Sequence, residues 1–143
     1  MIFLNKISLK RVSNLDYDFL YELLQQRHSN ENISHKKLPD YRDHVKFVKS
    51  NPYSKWYIIM DQNSKLGSIY LSCQNEIGIF IDKKVRHKGI GHKVIQLLIE
   101  KNPKKRYLAN INPKNKKSIK FFKKHKFNLI QYTYVLIPTE TNC

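Results

Sequence analysis

The order of apolar patterns along this 143-residue chain predicts a single mixed α/β domain (1-143). Its core would be a central, mostly antiparallel twisted sheet of six to seven strands, with about four helices on the faces. Three observations carry that expectation. Strand-like runs follow one another closely between residues 55 and 81, and short turns between adjacent strands imply an antiparallel meander. Helical periodicities precede and follow that meander. Between the last strand and the next helix lies a basic turn holding Gly89 and Gly91, two of only four glycines in the chain.

The elements read in order as β α α βββ α β α ββ. Residues 6–12 alternate apolar and polar as a half-buried first strand. Asp16 reads as the N-cap of a helix with Phe19, Leu20, Leu23 and Leu24 on one face, ending near Arg27-His28. A short helix after Pro39-Asp40 would bury Val45, Phe47 and Val48 and stop before Pro52. Lys55 to Met60, Leu66 to Ser72 and Glu76 to Ile81 make the meander, with Asp61-Gln62-Asn63-Ser64 as a turn cluster. A helix with Ile90, Val94, Leu97 and Leu98 on one face runs to Asn102-Pro103. Arg106 to Ile111 is a further strand, and a helix covers roughly 114–125. Two last strands, Phe127 to Tyr132 and Tyr134 to Ile137, end at Pro138.

Composition bounds the function. An apolar fraction of 41% and an aromatic fraction of 12% suit a folded globule rather than a disordered chain. No apolar run approaches the ~20 residues that cross a bilayer, so no membrane partner is expected. Cys73 and Cys143 form no metal or redox motif, and the histidines lack ligand spacing, so no metal is expected. A cytoplasmic, reducing setting is the default. The net charge of +16 is concentrated: residues 83–126 hold 16 Lys plus Arg against one acid, Glu100. A basic half beside a neutral half suits a phosphate-rich ligand. Because 22 of the 27 bases are Lys, a solvated surface explains the same charge equally well.

Strand, glycine turn and helix together can aim backbone N–H groups and a helix N-terminus at phosphate. The hexapeptide Arg86-His87-Lys88-Gly89-Ile90-Gly91 resembles Arg/Gln-x-x-Gly-x-Gly/Ala, the pyrophosphate loop of the GNAT superfamily of acetyl-CoA-dependent N-acetyltransferases. The segment from Ala109 to Phe127 is similar to that family's later strand–helix segment, with Asn115 at the position of its asparagine. The order of elements also agrees over nearly the whole chain, which implies the GNAT fold.

The resemblance implies that acetyl-CoA is held by Arg86, His87, Lys88, Gly89, Ile90 and Gly91. It implies further that the pantetheine arm runs beside Ile79, Phe80 and Ile81, pairing with the backbone of Ile79 and Ile81, and bonds Asn115. Phe122 falls where the family usually has a tyrosine acid, so no proton donor carries over at that position. The thiolate then leaves unassisted, or takes its proton from water, Tyr132 or Tyr134. Lys126 replaces the usual glycine before Phe127, implying a different helix ending.

An amine with pKa ~10.4 is mostly protonated at neutral pH, so a base or a water relay helps it attack. Glu76, at the head of the strand leading to the loop, is the candidate base; it reads alternatively as a strand-end acid. His28 is the second catalytic candidate, and His28, Arg27 and Glu76 are the candidate acceptor-binding residues. A helix C-terminal His or Arg also serves as a dipole partner or cap. Tyr53, Trp56, Tyr57 and Tyr70 line the acceptor cleft or belong to the core.

Within the superfamily, Arg27-His28 and the Glu-x-Gly strand at Glu76 resemble amino-sugar acetyltransferases, nearest those acting on the 4-amino group of sugar nucleotides in surface-glycan pathways. The pattern overlaps the branch that acetylates ribosomal-protein N-termini. The leading expectation is therefore transfer to a small-molecule amine, nucleotide-linked in the best reading. Peptide N-acetylation comes second, and a basic nucleic-acid-binding module is the weakest of the three. Either a monomer or a homodimer is expected.

Overall fold

The computed structural model describes residues 2–30, 37–86 and 89–139, with the side chains of 28–30 set aside. Four strands, β1 (Ile7–Arg11), β2 (Lys55–Asp61), β3 (Ser64–Leu71) and β4 (Ile77–Ile81), form an antiparallel sheet in the order β1-β2-β3-β4. Tight turns make the meander: Gln62 and Asn75 take left-handed backbone, with φ of 54° and 63°. Helices α1 (Tyr17–Asn30) and α2 (Tyr41–Lys49) precede β2; α3 (Ile90–Lys101) and α4 (Lys116–Lys124) follow β4.

The period-2 alternation sorts the side chains into two cores. Ile59, Ile69 and Ile77 point to one face and pack with Ile90, Val94 and Leu98 of α3 and Phe122 of α4. Ile58 points to the other and packs with Leu20 and Val48 of α1 and α2. Among the described residues no helix is long and apolar enough to cross a membrane.

Several expectations need correction. Asp16 is not the N-cap. Ser13 is, for a one-turn 3-10 helix Asn14–Asp16, and Asp16 closes a reciprocal capping box before α1 starts. Asp16 is fully buried because Lys65 Nζ reaches it at 2.8 Å from β3. Helix α1 continues to Asn30, past Arg27-His28. In α2 the buried residues are His44 and Val48, while Phe47 is half exposed because its side faces an open cavity.

The larger correction concerns the second half of the sheet. The expected strand Arg106 to Ile111 makes a single parallel bridge, Leu108 to Glu76. The expected strands Phe127 to Tyr132 and Tyr134 to Ile137 form no ladder, and residues 128–139 are extended and exposed throughout. Strand propensity is realised only where a segment docks on a neighbouring edge, and residues 128–139 make no ladder with any edge among the described residues. Among the described residues the sheet therefore has four strands, not six to seven.

The expectation of a different ending for α4 is also overturned. Lys126 takes φ 68°, its N–H donates to Lys123 O at 2.9 Å, and Phe127 N–H donates to Phe122 O at 3.0 Å. These two bonds make the left-handed Schellman ending that glycine usually supplies.

Candidate active site

The site is built around the outer edge of β4. Hydrogen bonds from Ser72 N to Glu76 O and from Asp82 N to Leu66 O show that even-numbered residues turn their backbone groups toward β3. Odd-numbered residues turn theirs outward. Ile77 N uses this by donating to Leu108 O at 2.7 Å, and Leu108 N donates to Asn75 O at 2.9 Å. The ladder stops there. Beyond it Ile79 and Ile81 face away from β3, and only Ile81 O has a described partner, Arg86 Nε at 3.3 Å. An open strand edge of this kind accepts an extended, amide-bearing chain.

The edge leads into the glycine turn. Asp82 caps the 3-10 turn Lys83–Val85, and Arg86 returns over the Phe80 ring at 5.3 Å. His87 and Lys88 lie outside the described residues. Gly89 is the N-cap of α3 with φ 95°, a conformation costly for any residue with a Cβ. Helix α3 has no side-chain cap at Gly89 and no acid in its first turn, so among the described residues nothing competes with an anion for its first N–H groups and positive dipole end. Ile90 is buried in the core and anchors that end. At Gly91 a Cβ would lie 2.8 Å from the Phe121 ring, so glycine lets α4 approach α3. Asn115 caps α4, its Oδ1 accepting from Ser118 N at 3.1 Å. Phe122 is buried, its ring meeting Phe121 and Phe127 edge-on.

On the α1/α2 face of the sheet lies a cavity of about 90 Å³. Its floor is Ser68, Tyr70 and Phe80 from β3 and β4; α1 adds Leu20, Leu23, Leu24 and Arg27, and α2 adds His44 and Phe47. Tyr53 and Trp56 close it. Tyr53 stacks flat on Tyr70, with centroids 3.8 Å apart and planes within 3°, and Trp56 meets Tyr53 edge-on at 4.8 Å. The Trp56 Nε1–H is buried without an acceptor among the described residues. Burial, then the neighbouring Tyr70, pushes the Tyr53 hydroxyl pKa up. Burial pushes the His44 imidazole down, partly offset by its Nε2 contact with Tyr17 O at 3.0 Å. Tyr57 belongs to the core instead, accepting from Asn102 Nδ2 at 3.2 Å.

Arg27 thus sits in the cavity wall, and the His28 side chain lies outside the described residues. Glu76 shares the sheet face of Tyr70, Gly78 and Phe80 but stands two strand pairs from Phe80. Its Oε1 accepts from Ser72 Oγ at 3.1 Å and its Oε2 accepts from Asn110 Nδ2. Tyr70 reaches across Gly78, where a Cβ would lie 2.1 Å from the ring. Tyr132 and Tyr134 lie in the exposed segment 128–139. Sequence reading missed Gln26, which is buried and donates from Nε2 to Asp82 Oδ1 at 3.2 Å while its Oε1 accepts from Lys83 N at 3.1 Å. A polar residue at a helical position facing inward was the available signal. Among the described residues no three His, Cys, Asp or Glu side chains cluster as metal ligands.

Comparison with known proteins agrees with this geometry. Solved structures of similar fold include an acetyltransferase from Thermus thermophilus (15% identity, 92% of each chain covered, TM-score 0.71). A ribosomal-protein alpha-N-acetyltransferase, RimL, in complex with coenzyme A matches at 18% identity over 88% of this chain and 82% of its own (TM-score 0.73). A spermidine N-acetyltransferase from Vibrio cholerae, in complex with coenzyme A and spermine, matches at 13% identity over 84% and 79% (TM-score 0.68). Among curated proteins none matches the chain in sequence. The profile of the acetyltransferase (GNAT) family matches residues 17–127, from the start of α1 through the turn after α4, and the chain belongs to that family.

Proposed function

We propose that this acetyltransferase moves the acetyl group of acetyl-CoA to a primary amine of a small molecule, in the best reading a nucleotide-linked amino sugar of surface-glycan synthesis. The observation that carries the reading is the position of Phe80. Its ring floors the aromatic cavity, while Ile79 and Ile81 on either side turn their backbone groups to the open edge of β4. An acceptor in the cavity and an acyl donor along the edge would therefore meet at one strand.

Acetyl-CoA supplies an activated thioester. The chain's residues would hold it through Arg86, His87, Lys88 and the α3 N-terminus at the phosphates, and through Ile79, Ile81 and Asn115 along the arm. The cavity suits a flat or ring-shaped acceptor, because Tyr53, Tyr70 and Trp56 offer aromatic surface and Trp56 Nε1–H is a donor in need of a partner. Arg27 suits an anionic group such as phosphate. No carboxylate lines the cavity among its described residues, which disfavours a polycation such as a polyamine. Glu76, oriented by Ser72 and Asn110, acts as the base through water on the sheet face it shares with Tyr70; His28 stands as the second candidate for gripping the acceptor. The similarity to RimL favours a peptide N-terminus as the second reading.

Thiol release from acetyl-CoA, measured against amino-sugar nucleotides, N-terminal peptides and polyamines, tests this. Turnover with the sugar nucleotides and at least tenfold lower kcat/KM with the others is expected. Turnover confined to peptides would replace the acceptor assignment. Glu76→Gln should lower kcat about 100-fold; an unchanged kcat and pH profile would remove Glu76 as the base.

A further inference from the structure

The outer face of α4 differs from the rest of the surface. Lys116, Lys117, Lys120, Lys123 and Lys124 make up five of its nine residues, and all five are exposed. At 3.6 residues per turn they fall within an arc of about 120°, centred opposite the buried Phe122. The flank toward α3 carries Phe121 and His125 instead, which lie against Gly91 and His92. The lysine arc is therefore not the face that packs toward the cofactor turn.

A merely solvated helix face mixes its charges. This one does not. Helix α4 holds no acid, and among the described residues none of the five ammonium groups has an ion-pair partner. Lys120 stands one turn from Lys116, Lys117, Lys123 and Lys124 at once, giving four like-charge pairs that weaken a helix. Lys116 and Lys117 also lie in the first turn, where the helix dipole opposes a cation. Biased lysine usage does not account for the stripe, because the residues outside 83–126 hold 11 bases against 10 acids. A ligand with closely spaced negative charge relieves all of these repulsions together.

We infer that this face docks on the phosphate backbone of duplex nucleic acid, whichever amine accepts the acetyl group. The dimensions match. From Lys116 to Lys124 the helix rises about 12 Å, and a duplex carries one charge per roughly 1.7 Å of its axis, so about seven phosphates lie along that length. Lysine binds phosphate as a point charge, and phosphate contacts carry no sequence information, so the docking ignores base sequence. Other polyanions fit less well. A protein partner is held by aromatic or arginine anchors, and lysine is depleted at such interfaces. A membrane surface is entered by apolar residues on the helix face that meets it. The arc holds nothing but lysine.

Fluorescence anisotropy with a labelled RNA or DNA duplex tests this, using the full chain with coenzyme A in saturating excess to occupy the cofactor turn. With five phosphates neutralised, log affinity should fall against log salt with a slope of about −4.5, a loss of about 500-fold between about 50 and 200 mM salt. The triple substitution Lys116→Gln/Lys120→Gln/Lys123→Gln should bring the slope to about −2 and weaken binding roughly 30-fold or more at the lower salt. Acetyl transfer should be unchanged in that variant and its Tm no lower, and Lys116→Arg/Lys120→Arg/Lys123→Arg should retain binding. No binding at the lower salt, an unchanged slope and affinity in the glutamine variant, loss of binding on adding coenzyme A, or equal affinity for a polyglutamate peptide or for anionic lipid vesicles would each overturn the inference.

Discussion

Gln26 and Asp82, 56 residues apart, are joined by a buried hydrogen bond of 3.2 Å. The bond ties the helix that walls the aromatic cavity to the residue that starts the turn leading to Gly89. Gln26 Oε1 holds the next amide, Lys83 N, and Asp82 Oδ1 holds Lys84 N. One glutamine therefore sets where the turn leaves β4.

Gln26→Ala leaves Asp82 and Lys83 N without these bonds inside the protein. The expected cost is about 1–3 kcal/mol of stability, together with a KM for acetyl-CoA raised about tenfold and kcat changed much less. Steady-state kinetics and denaturant unfolding read both; a loss of stability with an unchanged KM would mean that the clamp has no part in placing the turn.

Asp16 should govern stability in acid. Burial opposes its charge, but Lys65, the Ser13 amide and Lys10 outweigh that, and its carboxyl pKa lies below the usual value of 3.8. A depressed acid contributes stability that is full above its unfolded pKa and is lost as pH falls through the folded one. His44 works at higher pH: burial lowers its pKa, so the unfolded chain takes the proton first and stability falls as pH drops below about 6.5. Thermal unfolding from pH 8 to 3 should show two declines. Asp16→Asn should remove the lower one and cost about 2–3 kcal/mol at pH 7, because it strands Lys65 beside a buried neutral group.

The ending of α4 can be improved. Lys126 holds a left-handed backbone at φ 68°, which costs a residue with a Cβ about 1 kcal/mol relative to glycine. Lys126→Gly should raise stability by about that amount in denaturant titration, with acetyl transfer unchanged. A loss of stability would show that the Lys126 side chain contributes more than the strain.

The meander was legible to within two residues because its turns are local chemistry: Gln62 and Asn75 occupy the left-handed positions themselves. The turn at Gly89 was legible for the same reason, with its φ of 95° at the N-cap of α3. The aromatic cavity was legible only in part. Arg27, Tyr53, Trp56 and Tyr70 were nameable, but His44 and Phe47 join them only through packing of α2 on the sheet, and Phe80, read as a neighbour of the pantetheine arm, lines the cavity as well. The purpose of Gly91 depended on Phe121, thirty residues later. The strands read at 127–132 and 134–137 failed in this chain because propensity says what a segment can pair as, not whether an edge is there to receive it.

The central claim is that the β4 edge, the Gly89 turn and the α3 N-terminus hold acetyl-CoA, and thermal unfolding with the ligand tests it most directly. A ligand at 100 times its Kd stabilises a protein by about 2.7 kcal/mol, which for a domain of this size raises Tm by about 10 °C. The account predicts that shift for the native chain and most of it lost in Gly89→Val, where the added side chain meets both the left-handed backbone and Leu4. No shift at saturating acetyl-CoA, or an equal shift in the variant, would contradict it.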